Sequence, residues 1–352
     1  MMKQRCFQVL AAIALGGLLS GCAWFGSAHP FKDRQLENSF RPDRKKQMDV
    51  QAFHEALKGG ADPNLELKNG ATPLIMAVMR DRPELIEALL QAGAEVNRPG
   101  KRGSTPLHVA AGLGRKKCMD LLLKSGAALN AHGAFGRTPL MDAARMGQLE
   151  MMTELLDAGA EINARDAMDR TALIHAAEAQ KNSLASVRLL VAAGADPMLH
   201  DRDLKTAAMH AAELKHTDAA LYLIDLIPDL PLHPEHGLMI LYYAIKGNDL
   251  KVMEKLIDQR LPLNRSLSLV LKASKIVQVH GFYRILIRNG LLGRGRSPLH
   301  WAAIENNLDA VKLLIGRGAD PNLTDELGHT ADDLATSREV IQYLRDLREK
   351  ED

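Results

Sequence analysis

Short apolar stretches with helical spacing recur along the chain, and each ends at a glycine. In LIEALLQAGAEVN (85–97), Leu and Ile stand three and four residues apart, which predicts an amphipathic helix ending near Gly93. A shorter stretch precedes each one except the first, at 53–64. An example is TPLHVAAGLG (105–114), where Thr105 can cap a helix and Pro106 suits its first turn. A helix of about two turns is marginal alone in water. The pattern therefore predicts short paired helices that depend on their neighbours.

The paired pattern is an internal repeat. Thr72, Thr105, Thr138 and Thr171 are each 33 residues apart, and Ser297 and Thr330 keep that spacing. The first phrase lies at 70–78, 103–111, 136–144, 169–177, 204–212, 295–303 and 328–335. The second phrase lies at 53–64, 85–97, 119–130, 152–163, 187–197 and 311–322. Because each unit buries its apolar faces only against adjacent units, the array behaves as a stack that needs polar end caps.

These phrases resemble the ankyrin repeat, whose hallmark is T-P-L-H-x-A-A followed by a Leu-rich helix and G-A-D-x-N. The resemblance covers residues 48–352 and implies an all-α solenoid of about eight or nine units, including degenerate caps. It implies that His108 and His300, at the T-P-L-H position, bond to backbone near the turn. It also implies that a protein partner binds on the concave side, through turn tips and first helices.

Residues 227–294 depart from the repeat. Residues 236–264 still fit, with Met239-Ile240-Leu241 in place of Thr-Pro-Leu, whereas 267–290 fit loosely. One interpretation is that the repeat sequence has drifted here because it is less constrained. The other is a bend or an insert that is specific to a partner.

The first 21 residues are typical of a secretory signal. Lys3 and Arg5 precede an apolar run at 7–19, which is too short to span a bilayer as a helix. A plain signal peptide cut elsewhere and an uncleaved anchor are the alternatives.

The sequence LSGC at 19–22 resembles the lipobox of bacterial lipoproteins. The resemblance implies cleavage before Cys22 and lipidation of its thiol, which would anchor the chain to a membrane. Because Ala23 stands where an Asp would favour retention at the inner membrane, it implies the periplasmic face of the outer membrane.

Residues 22–47 show no clear period, and we interpret them as a lipidated N-terminus followed by a flexible tether. Of the three cysteines, Cys6 would leave with the signal and Cys22 would take lipid. Cys118 would then stand alone on a predicted helix, where a buried small side chain is favoured over a reactive thiol.

Composition and charge narrow the function. Charged residues make up 25% of the chain and aromatic residues only 4%, which is typical of a globular, helix-rich protein. The formal net charge is +2, and loss of Lys3 and Arg5 with the signal leaves a balanced mature chain. A neutral chain has no general attraction to nucleic acid.

No catalytic signature is found in the sequence. It contains no Walker motif, G-x-S-x-G, H-E-x-x-H or C-x-x-C, and Glu-x-x-His pairs on single helices are weak metal signals. We therefore expect no enzyme activity, cofactor, metal ion or small-molecule substrate.

Bases outnumber acids at the predicted tips, which suggests a row that attracts an acidic protein surface. Phe135, Met146 and Met168 would be its apolar anchors. The alternative is that these bases are ordinary solvated turn residues. The candidate binding residues are Lys101, Arg102, Phe135, Arg137, Arg145, Met146, Met168, Arg170, Arg202, Lys205, Arg294 and Arg296.

Two functions fit these expectations. The first is a membrane-anchored periplasmic binder, such as an immunity-type or protective partner of a secreted effector. The second is a scaffold lipoprotein that organises other envelope components. Location and fold class alone suggest both, and fold does not fix function.

Overall fold

The structure is a computed structural model that describes residues 30–40, 50–227, 234–267 and 294–351. The signal, the lipobox with Cys22, and the loosely fitting stretch at 268–290 lie outside the described residues. The chain divides into two compact units, residues 1–65 and 66–352.

The first unit holds helices α1 (Pro30–Ser39) and α2 (Val50–Lys58), which pack together. Leu36, Phe40 and Phe53 are buried, and the rings of Phe40 and Phe53 meet edge to face with centroids 5.6 Å apart. This finding corrects the flexible-tether prediction at residues 30–40. Leu36 and Phe40 are four residues apart, so they lie on one helical face, and a single pair of this kind is too short to register as a period.

The second unit is built from helix pairs, eight of which fall within its described residues. The first helices are α3 (Pro73–Met79), α5 (Pro106–Leu113), α7 (Pro139–Arg145), α9 (Ala172–Glu178), α11 (Ala207–Glu213), α13 (Pro234–Gly247), α15 (Pro298–Ile304) and α17 (Ala331–Leu334). The second helices are α4 (Pro83–Gln91), α6 (Lys116–Lys124), α8 (Leu149–Asp157), α10 (Ser183–Ala192), α12 (Thr217–Asp225), α14 (Leu250–Asp258), α16 (Leu308–Gly316) and α18 (Arg338–Glu351).

The repeated Thr starts the first helix as the sequence predicts. The Thr72 hydroxyl accepts a hydrogen bond from the amide of Ile75 at 3.2 Å, and Pro73 occupies the first helical position, where no donor is needed. The second helices α4, α6, α8, α10 and α16 are each followed by a glycine with a positive φ, close to 90° at Gly93 and Gly318, which ends the helix in the left-handed region.

Contacts between successive pairs hold the stack together. Each first helix contacts the next one from α3 to α17, and the Ala pairs on these helices are buried. Asparagines join the turns that follow the second helices: the Asn97 side chain donates to the Gly126 carbonyl and accepts from the Ala128 amide. The short helices are thus stabilised by their neighbours, as the sequence predicts.

The stack is continuous across the segment 268–293. Helix α13 contacts α15, and α14 contacts α16, although these pairs are far apart in sequence. Asn264 bonds to the Gly318 carbonyl and the Asp320 amide, which is the same bridge that Asn97 makes to the next repeat. The pairs on either side of the segment are therefore direct neighbours.

The all-α fold class is confirmed. The described residues form 18 α-helices, and the β-structure found among them is a single isolated bridge between His200 and Thr206. No helix in the described part of the chain is long and apolar enough to cross a membrane.

Candidate functional site

We call the surface formed by the first helices and the turn tips before them the first-helix face. Successive tips are joined through backbone: the Lys101 amide donates to the Gly70 carbonyl at 2.7 Å, and the Arg202 amide donates to the Met168 carbonyl at 3.0 Å. Gly70 has a φ of 77°, and a Cβ there would lie 2.6 Å from the Cβ of Lys101. This close approach places the predicted tip residues in a row.

A groove opens on this face between α3, α5 and α7. We call it the N-terminal groove; its volume is about 450 Å³. Its apolar lining comes from three successive repeats, and Gly112 leaves space between them. The apolar side chains are Ile75, Met79, Val109, Leu113 and Met146.

The rim of the N-terminal groove is basic. Lys101, Arg102, Arg137 and Arg145 line it together with one carboxylate, Asp142. Asp142 lies 2.7 Å from Nε of Arg137 but 3.8 Å from Nε of Arg145. Among the described residues, Lys101 and Arg102 have no ion-pair partner, and both are exposed. The groove therefore combines an apolar floor with uncompensated positive charge.

Phe135 stands beside this groove at the next tip and is 73% exposed. Its φ of 59° is unusual for a bulky residue, and the guanidinium of Arg137 lies 5.3 Å from the centroid of its ring. Its carbonyl accepts from the Ala167 amide, which fixes the turn. The geometry holds an aromatic ring outward in solvent.

The next part of the first-helix face is paired internally. Asp166 is fully buried; its Oδ1 accepts from the amides of Met168 and Arg170, and its Oδ2 lies 3.0 Å from Nε2 of His175. Burial would raise the pKa of Asp166, but these hydrogen bonds and the Arg170 charge lower it below its ordinary value. This carboxylate is thus held ionised.

His210 sits between two carboxylates. Its Nδ1 lies 3.0 Å from Glu178, and its Nε2 lies 2.9 Å from Asp201. Burial would lower the pKa of His210, but the hydrogen bonds to Asp201 and Glu178 outweigh burial and raise it. Glu178 also pairs with Arg170, so neighbouring repeats are linked through charge.

Lys205 extends these pairings toward the C-terminus. Its ammonium bonds Glu213 and lies 4.4 Å from the ring centroid of Tyr243. Glu213 also accepts from Lys246 at 2.9 Å. We call the whole set the ion-pair cluster; its members are Asp166, Arg170, His175, Glu178, Asp201, Lys205, His210, Glu213 and Lys246.

The two T-P-L-H histidines are structural, as the resemblance implies. Nδ1 of His108 accepts from the Thr105 amide at 3.2 Å, so Nε2 carries the proton and donates to the Arg137 carbonyl at 2.8 Å. His300 bonds Ser297 and the His329 carbonyl in the same way. Burial lowers the pKa of both imidazoles.

The structure divides the predicted binding residues by environment. Lys101, Arg102, Arg145 and Met146 meet in the N-terminal groove, and Phe135 stands beside it. Others are held in ion pairs: Arg137 with Asp142, Arg170 and Lys205 in the ion-pair cluster, and Arg202 with Asp169. Met168 is exposed at its tip; Arg294 is exposed, and Arg296 lies 3.7 Å from Asp325. The basic row is therefore interrupted by acids, and binding by these residues stays a prediction.

Sequence reasoning missed most of the groove floor. Met79 and Leu113 are the last residues of α3 and α5, and Met146 directly follows α7. Later repeats carry Glu178 and Glu213 at the position of Met79. An apolar residue at the exposed end of a first helix, repeated in three neighbouring units, was the available signal.

Metal binding and thiol chemistry are two further possibilities that the side chains of the chain raise. Within the described residues, no group of three or more His, Cys, Asp and Glu side chains is arranged to hold a metal ion. Cys118 is buried as predicted, and burial together with the nearby Asp81 raises the pKa of its thiol to about 12. Such a thiol is a poor nucleophile.

Comparison with known families identifies the fold. A family model for ankyrin repeats in three copies matches residues 45–133, 127–201 and 173–266, and a single ankyrin repeat matches 294–326. More than half of the chain is matched, so the protein belongs to the ankyrin-repeat family. Ankyrin repeats are generally protein–protein interaction modules, and proteins built from them are typically non-enzymatic scaffolds. No curated protein matches the chain significantly.

Proposed function

We propose that this protein is a lipid-anchored lipoprotein of the bacterial envelope that binds a partner protein through its first-helix face. In this proposal Cys22 carries the anchor, and the repeats face the periplasm from the outer membrane. The partner is a secreted effector that the protein neutralises by forming a stoichiometric complex, without turnover.

The N-terminal groove carries the binding part of this proposal. Its exposed Met79, Leu113 and Met146 lie together in one groove, and a concave, mostly apolar surface with a few polar groups is the usual form of a binding site. Lys101 and Arg102, which have no ion-pair partner among the described residues, supply charge for steering. The ion-pair cluster offers no comparable free charge.

Metabolic labelling with a palmitate analogue tests the anchor. We expect the wild-type chain to label and to fractionate with the outer membrane, and Cys22→Ser to do neither. Cys118→Ser is the matched control and should label like the wild type, because that thiol is buried. Labelling of the Cys22→Ser chain would contradict the anchor.

Capture from membranes tests the binding role. We expect the chain to retain one protein at a fixed ratio, and the double variant Lys101→Glu/Arg102→Glu to lose it. The control Lys117→Glu/Lys124→Glu makes the same charge change at exposed positions of the second helix α6 and should bind normally. Recovery of several envelope proteins in variable ratios would favour the scaffold function instead.

A further inference from the structure

We propose that the N-terminal groove binds an extended acidic segment of the partner that carries apolar anchor side chains. This inference rests on the proposed function and specifies the chemistry that the groove recognises.

The length of the groove suits an extended peptide. Its floor runs across the ends of three neighbouring first helices, from Met79 through Leu113 to Met146. Packed helices lie about 8–10 Å apart, so two such steps cover about 16–20 Å. An extended chain rises about 3.3 Å per residue, and about five or six residues therefore span the floor.

The shape of the floor provides room for inserted side chains. Gly112 lies between Leu113 and the facing Asp142, and a Cβ built at Gly112 would lie 3.7 Å from the Cβ of Asp142. Because Gly112 has no side chain, the groove keeps its depth between α5 and α7. Flexible methionines at both ends adapt to aliphatic or aromatic groups.

The rim selects for negative charge. Asp142 is closely paired with Arg137, so it does not neutralise Lys101 and Arg102, and it lies 3.8 Å from Arg145. Carboxylates that flank an apolar anchor would meet these three cations while the anchor fills the floor. A basic segment would meet only repulsion, which gives the groove a sign preference.

The later repeats supply a matched control position. Leu214 stands eight residues after Thr206, as Leu113 follows Thr105 and Met146 follows Thr138, and all three are partly exposed. Beside Leu214, however, Glu213 is bonded to Lys205 and Lys246. A charge placed at Leu214 therefore makes the same change outside the groove.

The test selects peptides from a displayed library of random 12-residue sequences against the full chain held in phospholipid nanodiscs. We expect enriched sequences to share one or two large apolar residues flanked by Asp or Glu. We expect Met146→Glu to weaken binding of the best peptide, measured by fluorescence anisotropy, by at least about tenfold. This equals about 1.4 kcal/mol of binding free energy. Leu214→Glu should leave its affinity within about twofold, and circular dichroism confirms that both variants are folded.

Several outcomes would overturn the inference. Enrichment of basic or uncharged peptides would do so, as would equal loss of binding in Leu214→Glu. Dimerisation that rises with concentration and disappears in Met146→Glu would show that a second copy fills the groove. If membranes yield a stoichiometric partner that Met146→Glu still binds, this inference fails while the proposed function stands. If no partner is captured, the proposed function fails.

Discussion

The N-terminal groove and the ion-pair cluster occupy equivalent positions in different repeats. Four residues after the repeated Thr, the first region has Val109 and the second has His175 and His210. Seven residues after the repeated Thr, the first region has Met79 and Gly112, and the second has Glu178 and Glu213. The same backbone frame therefore carries an open apolar surface in one place and a closed set of charges in the other.

This difference shows that the same repeat can serve two purposes. It offers a binding surface in the groove and stabilises the stack in the ion-pair cluster. In the ion-pair cluster, each charged side chain finds a partner in its own or the adjacent repeat, as Lys246 does with Glu213. In the groove, the exposed cations Lys101 and Arg102 have no such partner among the described residues. A solvated cation whose charge is unpaired remains available to a ligand, whereas a buried pair fixes the register of its neighbours.

The largest expected effect is the loss of a buried carboxylate from the ion-pair cluster. Asp166→Ala removes the acceptor for two backbone amides and the charged partner of Arg170 and His175. Breaking such a buried set by removing one member costs about 3–5 kcal/mol. We expect that loss in the free energy of unfolding measured with urea and circular dichroism.

Asp225→Ala is the control for that experiment. Asp225 pairs with Lys255, but both side chains are largely exposed, so the change should stay within about 1 kcal/mol. Equal effects of Asp166→Ala and Asp225→Ala would mean that the ion-pair cluster contributes no more than surface pairs do.

A comparison of one arginine from each region should give a smaller effect. Arg170→Ala removes charged hydrogen bonds to Asp166 and Glu178, and we expect about 1–3 kcal/mol of lost stability by urea unfolding. Arg102→Ala should change stability by less than about 0.5 kcal/mol, because its exposed side chain supports no ion pair. A larger loss in Arg102→Ala would reverse the roles that we assign to the two regions.

The repeat frame was predictable from sequence, because its signals are local. Thr72, Pro73 and Gly93 act on backbone within a few residues, so their caps and turns can be read directly from the spacing. The buried state of Cys118 also followed from its place on an amphipathic helix.

The division of the first-helix face was not predictable in the same way. Arg170 and Lys205 resemble Lys101 as basic residues near a tip. Their partners Glu178 and Glu213 lie in the same repeats, but only the folded stack brings His210 and Lys246 of the next repeats to these carboxylates. The direct contact of α13 with α15 likewise joins residues whose separation in sequence is irregular. The contacts of Glu178 with His210 and of α13 with α15 run between repeats, which a residue pattern within one repeat does not encode.

The smallest expected effect is an opposite pH dependence at His210 and His108, one from each region. The raised pKa of His210 means that its contribution to stability is complete below pH about 6.5 and is lost as pH rises through the folded pKa. The pKa of His108 is lowered, so its contribution is complete above pH about 6.5 and is lost as pH falls through the folded pKa.

The advantage of the wild type over His210→Gln should shrink between pH 6.5 and 8.5, whereas its advantage over His108→Gln should grow between pH 5 and 7. One proton limits either slope to about 1.4 kcal/mol per pH unit. If both series had slopes of the same sign, the pKa values of His210 and His108 would not be shifted in opposite directions. The carboxylate partners of His210 and the carbonyl partner of His108 would then not have the effects that we assign to them.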